Sequence, residues 1–354
     1  MNQRPDTSAD TRTDTGTRAG ATAVTVQQVA RPDGFPTADL FRFVEGRLPA
    51  PSRGTALVEN VYWSVDPYHR EMMDGAFALN APLEGRTIGR VIESRAPELP
   101  EGALLLHRHG WRTHAVLRPD EARLLPSHEG VPLSAHLGIL GGTGLTAYVA
   151  LTRIAQLQAG QDVFVSAAAG GVGTATARIG RLLGAGRLIG SAGSPAKVAH
   201  LTEHVGYDIA FDYHDGPVVD ALRAAAPDGV HRTVDNVGGE HLEAAIAASR
   251  DHARIAWVGA IAQYHAAEPP PAPRNLFDLV GRSIRLEGFL VRDYPHLQQE
   301  LYDFAVPHIQ SGRLPLDATL VTGFDQIVNA FLGMLRGENL GKMIVGAAQP
   351  TALR

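Results

Sequence analysis

Cysteine is absent from all 354 residues. That excludes disulfides, thiolate metal sites and a cysteine nucleophile. An excess of basic charge is also missing. Thirty-two Lys and Arg stand against 37 Asp and Glu, for a formal net charge of −5, which argues against a footprint on nucleic acid or an anionic membrane. No uninterrupted apolar run reaches membrane-spanning length. The first 21 residues hold almost nothing that can be buried and no apolar core of a signal peptide. They are expected to be a disordered tail, and the cytoplasm is the expected compartment.

What is present fits a globular protein, with 44% hydrophobic and 19% charged residues. The length predicts two domains. From Val24 to about Leu140, stretches such as "ALVENVYWSV", "TIGRVIES" and "WRTHAVL" read as short strands broken by Pro and Gly. After "GGTGLTAYVAL" the rhythm changes. "DVFVSA", "RLIGSAG", "DIAFDY" and "HRTVDNV" each precede a helical pattern, and "ARIAWVGA" and "SIRLEGFLV" add two more strands. Alternation of this kind predicts an α/β fold, a doubly wound parallel six-stranded Rossmann sheet. Helical patterns around residues 296–312 and 324–337 then lead to a last strand, "GKMIVGA", expected to return to the first domain. The stretch "EPPPAPRN" (268–275) reads as a stiff surface loop.

"VFVSAAAGGVGTATARIGRLLG" (163–184) carries the chemistry. Gly170, Gly171 and Gly173 stand where the first parallel strand meets its helix, where a backbone without side chains can approach a pyrophosphate. The spacing is G-G-x-G, not the full dinucleotide fingerprint. Alone it equally fits a tight turn needed for packing; the surrounding strand–helix series makes it a nucleotide cradle. The second strand ends in "GSAGSPAK" (190–197) with no acid to hold a ribose 2′-hydroxyl. Small and hydroxyl residues leave room for a 2′-phosphate, and Lys197 supplies a cation. NADP(H) is the predicted cofactor. Elsewhere Lys197 would read as an ordinary solvated helix lysine.

Together "NVYWSVDPYHREMM", "GILGGTGLTAYVAL", "AAAGGVG", "GSPAK", "VDNVGG", "GAIAQY", "RLEGFLV" and "NLGKMIV" resemble the zinc-independent medium-chain dehydrogenase/reductases. The likeness is to the leukotriene B4 dehydrogenase, 15-oxoprostaglandin 13-reductase and alkenal double-bond reductase branch, and it runs from about Val24 onward. It implies a GroES-like, mostly β catalytic domain (22–140 and 319–354) packed on a Rossmann domain (141–318). It also implies NADPH-dependent reduction of the double bond of α,β-unsaturated aldehydes or ketones. Gly170, Gly171, Val172 and Gly173 would hold the pyrophosphate, and Lys197 and Tyr213 the 2′-phosphoribose. Asn236 would lie near the cofactor. Val258, Gly259, Ala260 and Ile261, in the segment that ends at Tyr264, would line the nicotinamide side, flanked by Phe289, Leu290 and Val291. Asn339 would reach back from the last segment. One departure concerns the pocket wall: the family commonly has Gly-Met-Pro-Gly where this chain has Gly141-Gly142-Thr143-Gly144.

Zinc alcohol dehydrogenases share the architecture, but their usual ligand set includes cysteine. "HRHGWRTH" (107–114) has no helical HExxH spacing and reads as an extended, partly exposed segment rather than a metal site. An enone needs no metal if a hydrogen-bond donor meets its carbonyl oxygen. Tyr264 is the candidate, against the alternative of a packing tyrosine bonded to backbone and with the cofactor ribose hydroxyl as rival donor. Tyr68, Thr143 and Phe289 are candidates for the substrate pocket, although "VDPY" also makes a turn. Two other readings stay open: quinone reduction, and a non-catalytic NADP-binding sensor or structural protein. An apolar edge at "SIRLEGFLV" predicts a homodimer, and the family resemblance implies one too.

Overall fold

The computed structural model describes residues 22–264, 266, 268 and 271–348. The expected tail and part of the Pro-rich stretch lie outside the described residues. The chain begins with β1 (Thr22–Gln28), β2 (Phe41–Arg47), β3 (Ala56–Ser64), a short α1 (Tyr68–Met72), β4 (Thr87–Ser94), β5 (Leu104–His107), β6 (His114–Leu117) and β7 (Ala122–Leu124). It continues through α2 (Gly142–Val149), β8 (Val163–Val165), α3 (Gly171–Leu182), β9 (Leu188–Ala192), α4 (Pro195–His200), β10 (Ile209–Asp212), α5 (Val218–Ala225), β11 (Val230–Asp235) and α6 (Gly239–Ala247). β12 (Ser249–Trp257), α7 (Asp278–Gly281), β13 (Arg285–Gly288), α8 (Gln298–Gln310), β14 (Ala318–Thr322), α9 (Ile327–Leu335) and β15 (Lys342–Gly346) complete it.

The parallel sheet has the order β10-β9-β8-β11-β12-β13. Its order reverses beside β8, where the chain starts outward in one direction and resumes in the other. That switch point opens a crevice at the carboxyl ends of the strands. β8 is buried along its whole length, because helices cover both faces. Val163 and Val165 pack into the core shared with α2, α3 and α8, whereas Phe164 packs on the opposite face against Ile189, Leu242 and Ile255. A two-residue side-chain period thus serves two cores at once.

The second large sheet has the order β14-β15-β3-β4-β5-β7, with β6 also on β3. β15 runs antiparallel to β3, with Val345 opposite Trp63. The last strand therefore does return to the N-terminal sheet, as its apolar pattern suggested. β14 then pairs with it in parallel. β1 and β2 form a separate antiparallel ribbon. The segment "HRHGWRTH" is partly exposed, as expected: Arg108 is exposed and His109, Arg112, Thr113 and His114 are half-buried, while His107, Gly110 and Trp111 are buried. His107 is buried at the end of β5, its Nε2 2.8 Å from Asn60 Oδ1. Polar pairing inside the sheet outweighs the exposure that the polar sequence suggested. Among the described residues no helix is long and apolar enough to cross a membrane.

Candidate active site

The loop after β8 turns sharply enough to place Ala167 at φ +48°, and α3 starts at Gly171 with Gly170 as its N-cap. No side chain caps this end, and no acid lies in its first turn. The amides of Gly171, Val172 and Gly173 are thus left without helical partners and carry the positive end of the helix dipole. The glycines are required by contact. A Cβ on Gly173 would lie 2.4 Å from the Ala168 carbonyl oxygen, and one on Gly171 3.0 Å from Thr143 Cγ2. A bare amide cradle of this shape suits a pyrophosphate.

The final segment is bound to this turn. Gly341 N–H donates to the Ala169 carbonyl at 2.9 Å, and the buried Asn339 closes its own turn through Nδ2 to the Gly341 carbonyl at 2.7 Å. β15 and the phosphate turn are held as one unit.

At the end of β9, Ser194 caps α4 by accepting from Lys197 N–H. The Lys197 side chain is half-buried, and burial lowers its pKa. Its ammonium makes no hydrogen bond or ion pair among the described residues. The Tyr213 hydroxyl lies 2.5 Å from where a Cβ on Gly193 would stand, so the missing side chain at 193 lets the tyrosine cover the turn. Lys197 and Tyr213 flank the same acid-free strand end, which fits a 2′-phosphate.

On the other side of the switch point, Asp235 ends β11 in full burial. It accepts from Ser166 Oγ (2.6 Å) and from the amides of Val237 and Gly238. Burial raises its pKa against these bonds. Asn236 donates through its amide to Ser166 Oγ and through Nδ2 to the Ser166 carbonyl, both at 2.8 Å. The amides of Val258 and Gly259 reach the Asp235 carbonyl, and Ile261 N–H reaches that of Asn236. One polar knot therefore sets the ends of β8, β11 and β12 and aims the Val258–Tyr264 segment. Ser166 and Asp235 were not singled out from the sequence, although both lie in the quoted motifs. Phe289 and Val291 pack against the large core, whereas Leu290 is exposed.

Tyr264 is half-buried at the end of the short turn that follows Ala260. Burial raises its phenol, as does the nearby Glu71, while the Ala260 amide opposes the shift by donating to the oxygen. The Tyr68 hydroxyl is buried with no partner among the described residues. Thr143 abuts Gly171 and lines a cavity of about 40 Å³ with Thr174 and Lys342, room for water rather than substrate.

Beneath Tyr68 lies a buried ion pair the sequence reading missed. Lys342 Nζ is 3.1 Å from Asp66 Oδ1 and also donates to the Val65 and Met343 carbonyls. Lys342, Arg86, His69 and the Ser64 hydroxyl hold the Asp66 carboxyl well below the ordinary range, although burial opposes them. His69 is buried and pushed down to about 4 by desolvation, so its imidazole is neutral near pH 7. Among the described residues no group of three His, Cys, Asp or Glu could hold a metal ion.

Comparison with known proteins places this geometry. Residues 25–125 match the family model described as N-terminal domain of oxidoreductase, and residues 205–345 match one described as zinc-binding dehydrogenase. Prostaglandin reductase 1 of Rattus norvegicus is 36% identical over 89% of this chain and 96% of its own. The NADP(+)-dependent 2-alkenal reductase of Nicotiana tabacum is 35% identical over 82% of this chain and 86% of its own. The structure of CurA from Vibrio vulnificus in complex with NADPH matches with TM-score 0.86 and 30% identity, covering 92% of this chain and 100% of that one. The second model's description names zinc, whereas this sequence offers no cysteine as a thiolate ligand. The chain belongs to the zinc-independent medium-chain dehydrogenase/reductases, in the branch that holds the prostaglandin and alkenal reductases.

Proposed function

We propose that this protein reduces the carbon–carbon double bond of α,β-unsaturated aldehydes and ketones with NADPH. The observation that carries the reading is the uncapped, glycine-lined start of α3 at the switch point of the parallel sheet, beside an acid-free strand end whose Lys197 makes no ion pair among the described residues. When bound, NADPH supplies the hydride that the β-carbon of the enone receives. The Gly170–Gly173 amides would hold the pyrophosphate of the cofactor and Lys197 its 2′-phosphate. The Asp235–Asn236–Ser166 knot sets the segment from Val258 to Ile261, which would line the nicotinamide side, with Phe289 to Val291 flanking it. Tyr264 donates a hydrogen bond to the carbonyl oxygen and so stabilises the enolate that forms as the β-carbon gains its hydride. A proton then adds at the α-carbon, giving the saturated carbonyl compound.

In this reading residues 22–140 with the segment from 319 onward form the catalytic domain and residues 141–318 the cofactor domain; the pairing of β15 with β3 supports the division. The reading includes a cytoplasmic homodimer. Among the described residues β13 is one of the two unpaired edges of the parallel sheet, and Phe277 and Val280, at α7 just before it in the chain, are 79% and 71% exposed. Large apolar side chains at an open edge favour a second copy. NADPH oxidation followed with an alkenal, a methyl enone and a benzoquinone tests the function. Turnover of the first two is expected; turnover of the quinone alone would replace the reading with quinone reduction.

A further inference from the structure

We propose that the turn of Arg336, Gly337 and Glu338, which follows α9, sets the preference for the cofactor's 2′-phosphate. Gly337 leaves the space in which the Lys197 ammonium stands, and Arg336 holds the Glu338 carboxylate off it. The proposal rests on the NADPH reading and adds to that site residues from the far end of the chain.

Lys197 lies on α4, beside the parallel sheet. α9 belongs to the other core, where Ile327, Phe331 and Met334 pack with Trp63 of β3. The two meet at Gly337. A Cβ there would lie 3.3 Å from Lys197 Nζ, so any side chain at 337 would press on the ammonium. Gly337 also has φ +74°, the left-handed conformation that commonly closes a helix.

The acceptors that this turn could offer a cation are already engaged. Gly337 N–H donates to the Met334 carbonyl and Glu338 N–H to the Gly333 carbonyl, both at 2.9 Å. The last carbonyls of α9 are thus closed within the turn. Arg336 Nε donates to Glu338 Oε1 at 2.6 Å. Glu338 Oε2 lies over Gly333, 2.6 Å from where a Cβ would stand. The carboxylate is therefore folded back along α9 by its own arginine.

Lys197 keeps its ammonium at the negative pole of the α9 dipole, which favours a cation. Yet it makes no hydrogen bond or ion pair among the described residues, and it is half-buried. A bound phosphate would supply the partner that is missing. Released from Arg336, Glu338 would compete with that phosphate from one residue beyond the contact.

The test titrates adenosine 2′,5′-bisphosphate and adenosine 5′-monophosphate into the full-length protein by calorimetry, and the ratio of their Kd values isolates the 2′-phosphate. Wild type is expected to prefer the bisphosphate by about tenfold or more. Arg336→Gln should weaken the bisphosphate about three- to fivefold, the scale of one exposed charge pair, and leave the monophosphate unchanged. Adding Glu338→Gln should restore the bisphosphate. Gly337→Asn, which tolerates the left-handed backbone, should weaken the bisphosphate about tenfold and again spare the monophosphate. Equal losses for both probes, or a loss in Arg336→Gln that persists once Glu338 is neutral, would overturn the proposal and leave the turn a structural brace. If Lys197→Ala abolishes the preference while Arg336→Gln keeps it whole, the turn fails alone and the 2′-phosphate assignment stands. A wild type that binds both probes equally overturns the cofactor reading, and the turn with it.

Discussion

Three side chains answer to single substitutions. In the proposed mechanism the Tyr264 hydroxyl is a donor that matters most as charge builds on the carbonyl oxygen, so Tyr264→Phe should lower kcat more than it raises KM. Loss of one such donor costs on the order of 10²–10³ in rate when it acts alone. With the cofactor ribose hydroxyl as a rival donor, a drop of about 10- to 100-fold in single-turnover hydride transfer is expected; an unchanged rate would leave the tyrosine as packing. Lys197→Ala should weaken NADPH about 10- to 100-fold and NADH little, because a charge-assisted phosphate contact is worth about 1.5–3 kcal/mol. Equal weakening of both would remove the 2′-phosphate assignment. Lys342→Met leaves the Asp66 carboxylate buried without its cation, and breaking such a pair costs about 3–5 kcal/mol. Denaturant unfolding of this variant at pH 7 should show that loss, and Asp66→Asn added to Lys342→Met should restore part of it.

At the level of elements, the strand–helix alternation from residue 163 was legible because each βα unit carries its own period and its own turn. The strand "DVFVSA" and the glycines behind it needed no distant partner to be recognised. β14 escaped notice, since "ATLVT" alternates exposed and half-buried residues at a sheet edge and is set by pairing with β15. The start of α3 yields a prediction of its own. Gly173→Ala would drive a methyl group to 2.4 Å from the Ala168 oxygen, so the turn must open and NADPH affinity should fall sharply while the sheet persists; calorimetric titration reads this. The β13 edge yields another. Phe277→Glu with Val280→Glu should convert the proposed dimer to monomer in light scattering, and a wild type already monomeric at micromolar concentration would dismiss the interface.

Across the whole molecule, acid sensitivity follows from buried histidines. His69, His136 and His241 are pushed down to about 4, and His107 to about 3, by desolvation. Their pKa values are lowered on folding, so below about pH 6.5 the unfolded chain binds protons that the native state refuses. Stability is therefore expected to fall as pH drops from 6.5 towards 4, by about 1.4 kcal/mol per pH unit for each such histidine. Urea midpoints at pH 7 and pH 5 measure it, and His107→Gln should flatten the slope. By itself the sequence determined the two-part α/β architecture, the nucleotide turn and the preference for NADPH, because these rest on local periods and on residues within one turn of each other. Only the tertiary structure decided which side chains share the cleft. Lys342 meets a carbonyl 277 positions away in the chain, and Arg86 fills the space that Gly142 leaves. Neither contact has a signal in spacing, since its partners are joined by sheet pairing and not by the chain.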